Sequence, residues 1–154
     1  MPQSLAAIYL HLVFSTKNRV PCLLDAGMRS EMHSFLAGVS RGVGCQTLLV
    51  GGVEDHVHVL GRLGRSTTVA DWVKEAKRVS TTWVKTRDPQ LRSFAWQAGY
   101  GSFSVSPSQV DAVRTYIEGQ EAHHAKLSFQ DEFRALVRRS GHLSPLGPSD
   151  AARV

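Results

Sequence analysis

The feature that most narrows what this chain can fold into is the run Glu54-Asp55-His56-Val57-His58-Val59-Leu60, with two histidines either side of one valine. On a strand, successive side chains point to opposite faces, so His56 and His58 share one face while Val57 and Val59 occupy the other. The β-branched flanks favour a strand, and a helix would turn the two rings about 200° apart. Two imidazoles on one face can converge on a metal ion, although a pair is an incomplete ligand set and a third donor must come from elsewhere. The plainer reading is a half-buried strand with two hydrogen-bonded histidines.

The remaining elements order themselves around this strand. Ile8 to Phe14 is β-branched and aromatic and reads as a first strand, followed by the basic turn Ser15-Thr16-Lys17-Asn18-Arg19. Lys17 and Arg19 at a strand end suit a phosphate clamp or an ordinary solvated loop. Asp25 is placed to cap a helix whose apolar face is Met28, Met32, Phe35, Leu36 and Val39, ending at Gly42 or Gly44. Gln46–Val50 is a second strand, turned by Gly51-Gly52 into the histidine strand. Ser66 or Thr67 then caps a second helix with Val69, Trp72, Val73, Ala76, Val79 and Trp83 inward. Lys74, Lys77, Arg78 and Lys85 form a basic stripe on it, which suits either solvent or DNA.

Phe94-Ala95-Trp96-Gln97 and Phe103-Ser104-Val105 read as one interrupted strand or a short hairpin around Gly99-Tyr100-Gly101. Ser106-Pro107 opens a helix expected to run to about His123, with Val110, Val113 and Ile117 as its apolar stripe. Tyr116 and Gln120 stand one above the other on an adjoining face, where Tyr116 either packs or looks into a site. Ser128 to Asp131 resembles a capping box before a last amphipathic helix carrying Phe129, Phe133, Leu136 and Val137. Strand, helix, strand, strand, helix, strand is the order of a ferredoxin-like α+β sandwich (βαββαβ) with two helices added at the C-terminal end. One domain is expected over residues 1–142 and a disordered tail over 143–154.

Composition restricts the function. Eighteen Lys and Arg against thirteen Asp and Glu leave +5, which suits a polyanionic partner. No apolar run is long enough to span a bilayer, so a cytoplasmic location and no membrane partner are expected. Two cysteines without CxxC spacing suggest neither a disulfide framework nor a thiolate metal site, and no glycine-rich phosphate loop points to a nucleotide cofactor.

The His-Val-His strand, the turn Thr16-Lys17-Asn18-Arg19, the run from Phe94 to Ser106 and Tyr116-Ile117-Glu118-Gly119-Gln120 leading into Glu121-Ala122-His123-His124 together resemble the single-tyrosine HUH transposases of small bacterial insertion sequences, including REP-associated tyrosine transposases. The resemblance runs in the same order over roughly residues 5 to 140. It implies that Tyr116 is the catalytic nucleophile and that His56, His58 and Gln120 hold a divalent Mg²⁺ or Mn²⁺. It also implies a homodimer that cleaves and rejoins single-stranded, hairpin-marked DNA through a 5′-phosphotyrosine, with Lys17, Arg19, Lys74, Lys77, Arg78 and Lys85 on the DNA backbone. Such an ion can polarise a phosphate, and a covalent intermediate conserves bond energy, consistent with the lack of a nucleotide motif. Two alternatives stand beside this: a host-adopted enzyme that nicks and joins hairpin DNA, and a noncatalytic nucleic-acid-binding module. The second would stack bases on sheet aromatics, which the histidine strand lacks.

Overall fold

A computed structural model describes residues 4–141 and 153–154. Four strands, β1 (Tyr9–Ser15), β2 (Gln46–Gly52), β3 (His56–Arg62) and β4 (Gly101–Val105), form one antiparallel sheet in the order β2-β3-β1-β4. Helices α1 (Ala26–Gly42) and α2 (Val69–Arg87) complete the βαββαβ sandwich. Three more follow, α3 (Val110–Glu118), α4 (Gln120–His124) and α5 (Phe129–Arg139).

Strand alternation divides the sheet. Leu10, Leu12, Phe14, Val57 and Val59 point to the side of α1 and α2, where they join Met32, Leu36, Trp72 and Val84 in a buried apolar core. His11, Val13, Ser15, His56 and His58 point the other way and are buried as well. The histidine face is therefore covered: α3, α4 and α5 lie over it.

Local chemistry sets the element ends. Asp25 caps α1 by accepting from the Met28 N–H at 2.7 Å. The cap of α2 is Thr68, which accepts from Asp71 N–H, one residue beyond the expected Ser66 or Thr67. The predicted continuous helix to His123 is interrupted. Residues 107–109 form a 3₁₀ turn, and Gly119 ends α3 and opens α4. Gly119 is thus a break rather than a tolerated helix glycine. The fourth strand is interrupted as expected: Trp96 bridges Thr16, the chain bulges outward, and β4 resumes at Gly101.

Most of the expected tail lies outside the described residues. Its last residue, Val154, is buried against Val13, Phe129 and Phe133, and its carbonyl accepts from Ser15 Oγ at 2.7 Å.

Candidate active site on the histidine face

Two glycines let the extra helices come close to the sheet. Gly51 pairs with His58 across β2 and β3, and a Cβ there would lie 2.6 Å from Ile117 Cγ2. Removing that methyl's volume brings α3 down onto the sheet directly beside the histidines. At Gly101 a Cβ would lie 2.7 Å from Phe133 Cε2, so the same device seats α5 on β4.

His56 and His58 have no exposed surface, and Gln120 is also buried. Gln120 Oε1 lies 3.3 Å from His56 Nε2, and the Tyr116 ring meets that of His58 edge-on at 5.9 Å between centroids. Tyr116, Gln120 and the two histidines thus come together within one chain. Each imidazole is held by its other nitrogen. His56 Nδ1 is 2.6 Å from Asp55 Oδ1, and His58 Nδ1 is 2.7 Å from His11 Nε2. Such contacts fix ring orientation and leave both Nε2 atoms facing inward, the arrangement that supports metal-ligating histidines.

Sequence reasoning missed the group at the centre of this face. Glu132 of α5 is 1% exposed. Its Oε1 lies 3.0 Å from His58 Nε2 and 3.4 Å from His56 Nε2. Its Oε2 lies 2.9 Å from His124 Nε2 and 3.3 Å from His123 Nε2. His56, His58, His124 and Glu132 offer donor atoms within 4.8 Å of one another. His58 Nε2 and Glu132 Oε1 are both shielded from solvent and lie 3.0 Å apart. A ring nitrogen and a carboxylate oxygen facing each other in a buried space can share a proton or hold a cation between them. Donors about 2.1 Å from a small divalent ion and at right angles are about 3.0 Å apart, so the residues present fit such an ion.

The electrostatics follow from burial and these neighbours. Burial lowers His56, but the Asp55 and Glu132 carboxylates outweigh it and carry the imidazole to about 9. Burial lowers His58 to about 4, with Glu132 opposing, and lowers His11 to about 3, helped by His58. Burial opposes the charged form of Glu132, yet the imidazoles of His124, His56 and His58 hold it far below the usual carboxylate range. The Tyr116 phenol is raised, first by burial and then by Glu132. A cation in the cluster would offset that carboxylate and favour the phenolate.

The basic residues separate into two groups. Lys17 and Arg19 lie in a 3₁₀ turn after β1, at the His56 end of the sheet, tied there by Thr16 N–H to Asp55 O at 2.8 Å. One Arg19 guanidinium nitrogen is shielded and without a partner. Lys74, Arg78 and Lys85 are exposed on α2, across the sheet from Tyr116. Lys77 differs from the stripe it was grouped with. Its ammonium donates to Gln97 O and Gly99 O at 2.7 Å each and lies over the Phe14 and Tyr100 rings. It fastens the bulge before β4. Beside Tyr116 a cavity of about 310 Å³ is lined by His11, Phe103, Gln109, Val113 and Arg139 among others.

Signals for the missed groups were present in the sequence. His11 shares the strand parity of a buried face, and Glu132 interrupts the apolar stripe Phe129, Phe133, Val137 on a helix that buries it. Both are single polar residues at core positions.

Comparison with known proteins agrees with this geometry. Residues 4–120 match the family model of IS200-like transposases. Searched against curated proteins, the sequence finds no significant match. Among solved structures, a protein of Deinococcus radiodurans R1 described as a transposase superposes with a TM-score of 0.64 at 22% identity, covering 78% of this chain and 95% of its own. A REP-associated tyrosine transposase bound to a REP hairpin superposes with a TM-score of 0.61 at 14% identity, covering 100% of this chain and 96% of its own. At those identities the two structures share the fold. Among the described residues no helix is long and apolar enough to cross a membrane. The family match, over a stretch that carries both histidines, the tyrosine and the glutamine, means that this chain belongs to the IS200-like transposase family.

Proposed function

We propose that this protein cleaves and rejoins single-stranded DNA at hairpin-marked ends through a covalent 5′-phosphotyrosine on Tyr116. His56, His58 and Gln120 would hold a Mg²⁺ or Mn²⁺ ion, which when bound polarises the scissile phosphate and stabilises the charge developing on it. The observation that carries the reading is Gln120 Oε1 beside His56 Nε2, with Tyr116 four residues earlier and its ring against His58.

In the forward step Tyr116 Oη attacks phosphorus and loses its proton, the P–O3′ bond breaks, and the departing 3′ oxygen takes up a proton. In rejoining, a free 3′ hydroxyl attacks the phosphotyrosine and releases the phenol. Asp55 and His11 orient the two imidazoles throughout. The scissile strand would reach Tyr116 from the side of the cavity lined by Phe103, Gln109 and Arg139, because the histidines themselves are fully covered.

The relative that binds a REP hairpin supports hairpin DNA as the ligand class here. Lys17 and Arg19 are the proposed backbone contacts nearest the site, and Lys74, Arg78 and Lys85 would extend the footprint across α2. Lys77 is withdrawn from it by its carbonyl contacts. The protein is proposed to act as a homodimer, measurable by analytical ultracentrifugation, and Tyr116 lies beside the histidines of its own chain.

The test is incubation with Mn²⁺ and a pool of single-stranded hairpin DNAs, followed by a denaturing gel. A metal-dependent protein–DNA adduct that Tyr116→Phe abolishes is expected. An equal adduct in the Phe protein would remove Tyr116 from its role.

A further inference from the structure

The stretch that matches the family ends at Gln120. Helix α5 lies beyond it. In α5, Phe129, Phe133 and Val137 recur on one face and bury against Val13, with Phe133 seated on Gly101. Position 132 falls on that same inward face, where an apolar residue would pack without cost. A carboxylate there loses its hydration, which is unfavourable unless partners replace the water.

The partners are divided between its two oxygens. Oε2 is within reach of His124 and His123. Oε1 faces His58 Nε2 at 3.0 Å and His56 Nε2 at 3.4 Å. His11 holds the other nitrogen of the His58 ring, so His58 Nε2 is directed at the carboxylate oxygen 3.0 Å away. Either a proton on Nε2 or a metal ion between the two atoms makes that contact favourable. The separations from Oε1 to His58 Nε2 and His56 Nε2, 3.0 and 3.4 Å, and from His56 Nε2 to Gln120 Oε1, 3.3 Å, are all near those of neighbouring donors around one small cation.

We infer that Glu132 Oε1 is a further ligand of the divalent ion, so that α5 is part of the metal centre and its docking is coupled to metal binding. The inference rests on the reading that His56 and His58 bind that ion. His124 and His123 then hold the second carboxylate oxygen and fix which oxygen faces the ion. An anionic donor also favours a hard divalent cation over a set made only of imidazoles and a carboxamide.

The experiment uses the full chain without DNA. Mn²⁺ binding is followed by titration calorimetry, and amide hydrogen exchange of residues 129–139 is measured with and without Mn²⁺. For the wild type, exchange across α5 is expected to slow at least ten-fold when the ion binds. Glu132→Gln keeps the shape and removes the charge; it is expected to weaken Mn²⁺ binding ten-fold or more and to lose the slowing. His58→Ala is expected to abolish binding. If Glu132→Gln binds Mn²⁺ as the wild type does, Glu132 is not a ligand, and loss of binding in His58→Ala would still leave the histidine site standing. If His58→Ala also binds normally, the histidine site itself is wrong. The wild type decides the matter even if Glu132→Gln does not fold: Mn²⁺ binding that leaves α5 exchange unchanged overturns the proposal.

Discussion

The two faces of the sheet are made from the same strands and do different work. On one, Leu10, Leu12, Phe14, Val57 and Val59 meet α1 and α2 in a dry apolar core. On the other, the intervening residues His11, Ser15, His56 and His58 are equally buried but polar, and they meet the tyrosine helix and Glu132. Burial of apolar surface drives folding, whereas buried polar groups cost stability unless each is partnered. The α1–α2 face supplies the rigidity against which the histidine face keeps a crowded set of buried polar donors.

Substitutions on the two faces should therefore separate stability from chemistry. The largest effect on stability is expected for Leu36→Ala, which empties a fully buried position on α1 and should cost about 3 kcal/mol, measurable by urea unfolding. Tyr116→Phe on the opposite face should change unfolding by roughly 0.5 kcal/mol or less while removing all DNA adduct. Comparable stability losses from both would mean that the faces are not divided in this way.

Acidity should sharpen the contrast in metal-free protein kept in EDTA. His56 is raised to about 9, so its contribution is fully present below the unfolded value of about 6.5 and is lost as pH rises through 9. His58 and His11 are lowered to about 4 and about 3, so theirs is lost as pH falls from about 6.5 through those values. Unfolding free energy should peak near neutral pH and fall on either side. A profile flat between pH 5 and 9 would argue against the buried cluster.

A smaller effect is expected at the joint between the sheet and the tyrosine helix. Gly51→Ala brings a Cβ against Ile117, should cost about 1 kcal/mol of stability, and should slow cleavage disproportionately, about ten-fold, by lifting Tyr116 and Gln120 from the histidines. Equal losses in the two assays would reduce Gly51 to a packing residue. The smallest effects belong to single surface cations. Lys17→Ala should lower the salt slope of hairpin binding by about 1, and Lys77→Ala should leave the slope unchanged while destabilising the bulge before β4.

Much of this architecture was legible in the sequence. Period-two alternation in β1 and β3, apolar spacing in α1 and α2 and the caps at Asp25 and Ser128 are local signals, and the helices and strands follow them. The break at Gly119 was not, because glycine in a helical pattern is compatible with both continuation and termination. The four positions His56, His58, Tyr116 and Gln120 were reachable through their motif. Glu132 was hidden because it has no motif: only the docking of α5 on Gly101 turns an acid on an amphipathic helix into a buried carboxylate among imidazoles. The carbonyl contacts of Lys77 were hidden for the same reason, since spacing along a helix does not reveal which cation a neighbouring bulge will capture.

The central claim is that the polar face exists to bring Tyr116 to a DNA phosphate. It is tested most directly by digesting the Mn²⁺-dependent protein–DNA adduct and locating the modified residue by mass spectrometry. The account predicts a 5′-phosphonucleotide on the peptide that contains Tyr116. Attachment at Tyr9 or Tyr100, the other two tyrosines of the chain, would contradict it.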